Sequence, residues 1–469
     1  MALSDINRIS EKVYNESEKI DNWSNETIKN STPGKISGFI YKIFNLMLND
    51  TAKGILFKLF ILSIYGLLVS LILPQFADDR FGIGLIIGFC GFLFLINLFV
   101  KNIPKIHFNS TDIFVLIFTL IAIASTFHSY FFHESINGLM KLFTFISVYF
   151  ILKLMLLNSS TKTILNFYRF LFVCALITSL YGLYQYFIGA EQLATWQDPG
   201  SENIFTRVYS TLVNPNLLAG YLLIILPVSL TIPFASKSSL PVKILFITGC
   251  LIIFACIILT GSRGAYIGAF ITFATGSLVF IIYLNKKFKI NFKTLLLFTI
   301  SALIIIYLAL TILFPQVTER VSTIFTLREH TSNNFRMNVW MSCVKMLKDN
   351  WLTGIGPGNK TFLQTYGLYM VSGFDALGSY NIFLEFWIEF GIFGFLCFLL
   401  ILLTSFLKLH YIFWLKNSFL AYGIFLSLIA AVSHGMFDTV FFRAQVYIPF
   451  WLLIASIGKL EGRDECRGL

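Results

Sequence analysis

The chain is short of charge and of every compact metal or nucleotide motif. Only 13% of its 469 residues are Asp, Glu, Lys or Arg, where a soluble globular domain carries about 25%. The seven cysteines include no Cys-x-x-Cys pair, so neither a zinc ribbon nor a redox pair is expected. The six histidines are His107, His128, His133, His330, His410 and His434. Of these, His128 and His133 alone lie close together, and no metal or other cofactor is expected. No Gly-rich phosphate loop follows a strand, which argues against ATP hydrolysis. The first 54 residues are largely polar and the first long apolar run begins after Lys53. They contain no cleavable signal peptide, so the first apolar run must act as its own targeting signal. Short segments of alternating hydrophobicity are missing too, which excludes a transmembrane β-barrel.

What is present is apolar length. Hydrophobic residues make up 57% of the chain, aromatic residues 17%, and mean hydropathy is +0.77. That content excludes a disordered chain. Runs near twenty residues recur, and they define an all-α, polytopic integral membrane protein. Twelve spans are expected, at 55–73, 81–100, 111–127, 135–152, 164–188, 213–235, 242–260, 264–284, 292–314, 382–406, 417–437 and 445–459. The net charge is +11. Its cations fall on alternate loops: Lys101 and Lys105, Lys153 and Lys162, Lys237 and Lys243, Lys286 to Lys293, Lys408 and Lys416, then Lys459, Arg463 and Arg467. The positive-inside rule therefore accounts for much of the basic excess without nucleic acid, and places both termini on the cytoplasmic side of the inner membrane. The opposite loops hold Arg80, Arg207, Arg263 and Arg443.

Five segments follow: a polar cytoplasmic arm (1–54), spans one to nine (55–314), a long extracytoplasmic loop (315–381), spans ten to twelve (382–459) and a cytoplasmic tail (460–469). Residues 36–49 read as a membrane-surface helix or as a loosely ordered tail. Cys343 alone among the cysteines falls outside, which precludes an intrachain disulfide there. Gly84 and Gly88 are spaced as a helix-packing face. In the long loop, residues 333–349 predict a helix with Phe335, Val339, Trp340, Cys343, Val344 and Leu347 on one face and Thr331, Ser332 or Asn333 as cap. Gly354, Gly356, Pro357 and Gly358 then form a turn. Neither a two-fold repeat nor an oligomeric state is legible.

Candidate site residues are the polar groups where loops meet spans. Arg207 and Arg263 lie on the side the positive-inside rule disfavours. Each reads as part of a diphosphate site, since a guanidinium matches phosphate oxygens, or as an interfacial or ion-paired residue. Asn214 precedes Pro215 and Asn216, and reads as a helix cap or as a helix terminus aimed at phosphate. Glu385 and Glu389 share a helical face within span ten. Such carboxylates either face a cavity and a ligand or satisfy a structural partner.

The segments Ser210–Ala219 and Thr260–Ala265, Arg336 with Trp340, Gly354 to Gly358, and Asn381 to Glu385 with Glu389 resemble the O-antigen ligase and polymerase superfamily. The resemblance implies an all-helical membrane bundle with a structured outer loop. It also implies transfer of a glycan from a polyprenyl-diphosphate carrier to an acceptor hydroxyl, without metal or nucleotide sugar. By position, Arg207 and Arg263 would bind the diphosphate and stabilise the leaving group, Arg336 would organise the loop or extend that site, and Glu389 would support the catalytic segment; Asn214, Asn216, Asn381 and Glu385 are further candidates for contact with the substrate. Ligases of the family usually have His, the base for the acceptor hydroxyl, directly before the Asn that corresponds to Asn381. This chain has Tyr380, whose ordinary pKa near 10 makes it a poor base; His330 is a candidate substitute. That departure and Asn333–Trp340 resemble most the cyanobacterial branch named for bicarbonate transport, which leaves a small-anion transporter or accessory protein as the alternative.

Overall fold

The computed structural model describes residues 3–30, 48–73, 82–100, 108–191, 207–313, 315–322, 324, 331–371 and 373–461. The expected surface helix at 36–49 and His330 lie outside them, apart from residues 48 and 49. The fold is all-α. Its helices are α1 (Leu3–Asn30), α2 (Asp50–Ser70), α3 (Gly82–Val100), α4 (Ser110–His128), α5 (Phe132–Leu157), α6 (Thr161–Ile188), α7 (Pro215–Ala235) and α8 (Leu240–Leu259). They continue with α9 (Arg263–Phe288), α10 (Phe292–Leu313), α11 (Pro315–Ser322), α12 (Thr331–Asn350), α13 (Asn359–Tyr369), α14 (Ile382–Lys416), α15 (Phe419–Gly435) and α16 (Ala444–Glu461). Each of the twelve expected spans coincides with one of these helices. Among the described residues nine, α2 to α9 and α14, are long and apolar enough to cross a bilayer.

The bundle is organised around α7. Nearly every residue of this helix is buried, and it packs against α6, α8, α9, α15 and α16. Small residues set these approaches. A Cβ on Gly423 of α15 would lie 2.0 Å from Thr231 Oγ1, and one on Gly268 of α9 would lie 3.0 Å from Leu223 Cδ2. Close backbone contact of this kind replaces the hydrophobic effect as the packing force between helices in lipid. At the expected packing face, nothing among the described residues lies within 4 Å of a Cβ on Gly84 or Gly88.

The tenth span differs from its expected limits. α14 runs for 35 residues but is broken at Gly391, whose φ of 66° and ψ of −174° are non-helical. Residues 392–416 alone are long enough for about 30 Å of hydrocarbon. The preceding turns, Ile382–Phe390, are shared: Ile382, Phe386 and Phe390 pack in the main core, while Ile388 faces a small second one. Here Ile388 packs with Val339, Cys343 and Met346 of α12, Phe362 and Tyr366 of α13, Ile355 and Ala376. The predicted loop helix is therefore real, although Met346 rather than the exposed Val344 completes its buried face. The helix already includes Thr331, which puts the three expected caps inside its first turn.

The break also explains the glycine turn. It leaves carbonyls of α14 available, and the turn takes them: Ile355 N–H donates to Ile388 O at 2.8 Å and Gly356 N–H to Glu389 O at 3.0 Å. Gly354, Gly356 and Gly358 have φ of 73°, 92° and 115°, backbone that glycine adopts without strain. The other side of the turn lies on α5, where a Cβ on Gly138 would come within 2.0 Å of Pro357 O.

At the opposite end of the bundle, two lysines read as loop cations are in fact interior. Lys153 lies within α5 and pairs with Asp112, which also accepts from Tyr149 Oη at 2.6 Å. Lys408, fully buried in α14, pairs with Glu461 at 3.1 Å. Neither counts toward the loop charge. Hydropathy windows average over such residues, and their partners lie far away in sequence. α1 docks beside this network. Tyr14 stacks on Tyr411 at 4.3 Å, and Asn7 is hydrogen-bonded to His410 at 2.9 Å.

Gly138→Ala should lower stability by about 1–3 kcal/mol through overpacking against a backbone carbonyl, measured as a lower thermal midpoint in detergent. Lys408→Met should cost about 3 kcal/mol because it strands a largely buried carboxylate, and adding Glu461→Gln should recover most of that loss. Equal midpoints for the single and double variants would show that the pair is not coupled.

Candidate active site

Three loop-to-helix junctions meet at the end of the bundle that carries α12 and α13. The first is the segment before α7. Val208 N–H donates to Leu259 O at 3.2 Å, and Arg207 Nε donates to Thr260 O at 2.8 Å. Arg207 is thereby fixed to the α8–α9 turn, three residues from Arg263. Arg263 opens α9 and is nearly buried. The second junction is the start of α7. Asn214 caps it, its side chain accepting from the N–H groups of Asn216 and Leu217, with Pro215 at the first helical position. The α7 terminus is thus satisfied by its own cap. Asn216 reaches sideways instead: its Oδ1 accepts from Arg207 at 2.7 Å, and its Nδ2 donates to Asp438 Oδ2 at 2.8 Å.

The third junction is the turn before α14. Asn381 caps that helix through Phe383 and Leu384 N–H. Glu385 accepts from Ser379 N–H, and Trp340 Nε1 donates to Ser379 O at 2.9 Å. These bonds hold Tyr380 in the left-handed region, with φ of 55°. Its ring packs edge-on against Phe335 at 5.6 Å and lies under the Arg336 guanidinium at 5.7 Å. Arg336 faces Asp438 Oδ2 at 3.8 Å.

A continuous polar chain results: Arg207, Asn216, Asp438, Arg336, Tyr380. The sequence-predicted residues Arg207, Asn216, Arg336 and Tyr380 are joined in it, and Arg263 lies three residues from the carbonyl that holds Arg207. Asn214 and Asn381 act as caps at its edge. Glu385 and Glu389 lie behind it, bound to loop backbone, Glu389 Oε1 accepting from Gly358 N–H at 2.9 Å. Their geometry matches the structural alternative for these carboxylates. Sequence reasoning missed Asp438, which joins the chain's two halves. An acid placed directly after an apolar run is costly unless partnered, and that was the available signal.

Burial raises the Tyr380 phenol above its ordinary value and Asp438 adds to this, against a smaller opposing effect of Arg336. The neutral phenol is the form the fold holds, so Tyr380 is not a base at neutral pH. Among the described residues no three His, Cys, Asp or Glu are grouped as a metal site would need.

These features define a multi-pass, all-α membrane protein with a cluster of arginines where its long loop meets the bundle. The sequence model of the family described as O-Antigen ligase matches residues 248–399. The match takes in Arg263, Arg336, the glycine turn and the start of α14, and it supports placing the protein in the O-antigen ligase superfamily. It lends no support to the bicarbonate branch or to an anion transporter. No curated protein matches the chain.

Because folding raises the Tyr380 pKa, its contribution to stability is full below about pH 10 and is lost as pH rises from there through the folded value. Tyr380→Phe should therefore lessen alkaline destabilisation and leave the phenolate absorbance below pH 10 unchanged. Loss of a phenolate signal near pH 7 in this variant would contradict the assignment.

Proposed function

We propose that this protein is a glycosyltransferase of the O-antigen ligase type, taking its glycan from a polyprenyl-diphosphate carrier. It works at the outer face of the cytoplasmic membrane, with α12 and α13 outside and both termini inside. The observation that carries this reading is the convergence of Arg207 and Arg263 on one turn, with Arg336 tied to them through Asn216 and Asp438.

The chemistry follows from the charges. An acceptor hydroxyl oxygen attacks the anomeric carbon, the bond from that carbon to the diphosphate oxygen breaks, and the carrier leaves as an anion. Arg207 and Arg263 are positioned before the reaction to stabilise that negative charge, which lowers the barrier without reorganisation. The hydroxyl proton passes to water or to the departing diphosphate, because Tyr380 is held neutral and cannot accept it. Tyr380 and Arg336 line the acceptor side, and the glycine turn fixes the loop that carries them. The family match over 248–399 supports this reading.

The test is transfer of a polyprenyl-diphosphate glycan by purified protein in membranes. Arg207→Ala and Arg263→Ala should each lower the rate by about 10²–10³, with insertion and helical content unchanged. Wild-type transfer by both variants would sink the proposal.

A further inference from the structure

The outward face of α12 takes no part in that chemistry. One side of the helix is closed by the second core, through Val339, Cys343 and Met346. The other side is exposed at Val344, Lys345 and Lys348, and the exposure continues at Trp351 and Leu352 directly after the helix. Steps of three and four residues put these five on one stripe. Asp349, the acid beside them, is engaged with α13, its carboxylate accepting from Tyr369 Oη at 2.8 Å. The stripe is therefore apolar and cationic.

Its height along the bundle is fixed by the backbone. Trp351 O accepts from Ile392 N–H at 2.8 Å and from Trp387 Nε1 at 3.1 Å. Ile392 begins the membrane-spanning part of α14. Near the same level, Ser125 Oγ in the last turn of α4 donates to Glu389 O at 2.6 Å. Phe127 and Tyr130 follow Ser125 and are exposed, as Trp351 is. Exposed aromatic residues at one height mark a membrane–water interface. From there Phe393, Leu396, Leu400 and Leu403 run down α14 as its exposed, lipid-facing stripe. Trp387 stacks on Phe395 beside it at 5.3 Å. The α12 stripe thus ends where a face covered by lipid begins.

We propose that the exposed stripe of α12 lies in the bilayer interface and binds anionic phospholipid. Val344, Trp351 and Leu352 enter the boundary of the acyl chains, and Lys345 and Lys348 hold the headgroups. Lysine stems allow this, because they cover apolar surface while the ammonium group reaches toward water. Helices with such a face bind membranes through buried apolar area and through attraction to anionic lipid. The occupant is lipid rather than a second copy of the chain, because the stripe meets a surface the bilayer already covers and its charge has one sign. The membrane thereby holds the helix that carries Arg336 on the side opposite the second core.

The experiment attaches the fluorophore NBD to Val344→Cys in the full-length protein, reconstituted in mixed vesicles of phosphatidylcholine and phosphatidylglycerol. Wild type treated in the same way controls for labelling of native cysteines. Doxyl groups on the lipid chains should quench the label strongly and aqueous iodide weakly. At equal mole fraction, doxyl-phosphatidylglycerol should quench more than doxyl-phosphatidylcholine by about twofold or more. That excess should vanish when Lys345→Gln and Lys348→Gln are added, while quenching by lipid persists. Quenching by iodide with little from doxyl lipid would overturn the proposal, because the stripe would then face water. Quenching by neither would overturn it too, in favour of a covering protein such as a second copy. Equal quenching by the two doxyl lipids in the protein that keeps both lysines would overturn the assignment to anionic lipid. No arm uses glycan transfer, so the outcome is independent of the transferase reading.

Discussion

The polar chain that runs by hydrogen bonds from Arg207 through Asn216 to Asp438, and by an ion pair from Asp438 to Arg336, is the constraint on which the site depends. It joins three segments far apart in sequence. Arg207 lies before α7, Asp438 follows α15 and Arg336 belongs to the loop helix α12. Buried arginines held close together repel one another unless an anion or an oriented dipole lies between them. Asp438 supplies that anion and Asn216 supplies the dipole. The arrangement holds cationic groups at fixed positions near an apolar bundle, where their charge is screened less than in water.

A second constraint fixes the loop that carries Arg336 and Tyr380. The break at Gly391 exposes carbonyls of α14, and the turn from Gly354 to Gly358 occupies them with its N–H groups. Glu389 adds its carboxylate to the same turn. A loop of this length would be costly to order by packing alone. Here one kinked helix serves both as a membrane span and as the floor of the outer core. The placement of Arg336 and Tyr380 then follows from backbone geometry that few other residue types would permit.

The fold was legible in the sequence to a large extent, because bilayer thickness turns apolar length into a helix count. The helix at 333–349 was legible as well, from its spacing. Three features were not. The kink in α14 hides inside a continuous apolar run, and nothing in hydropathy separates residues 382–390 from those that follow. Lys153 and Lys408 looked like loop cations because their partners, Asp112 and Glu461, are distant in sequence. Asp438 escaped notice because no motif contains it. Arg207 and Arg263 stood out as cations where loops meet spans, yet the residues linking Arg207 to Arg336 emerge only in three dimensions.

The most direct test of the account is a structure of the protein in a lipid nanodisc with a polyprenyl diphosphate bound. The account predicts diphosphate density within hydrogen-bonding distance of the Arg207 and Arg263 guanidinium groups, with the polyprenyl chain leaving toward the membrane. Density for the diphosphate at any other place on the bundle, with these two arginines untouched, would contradict it.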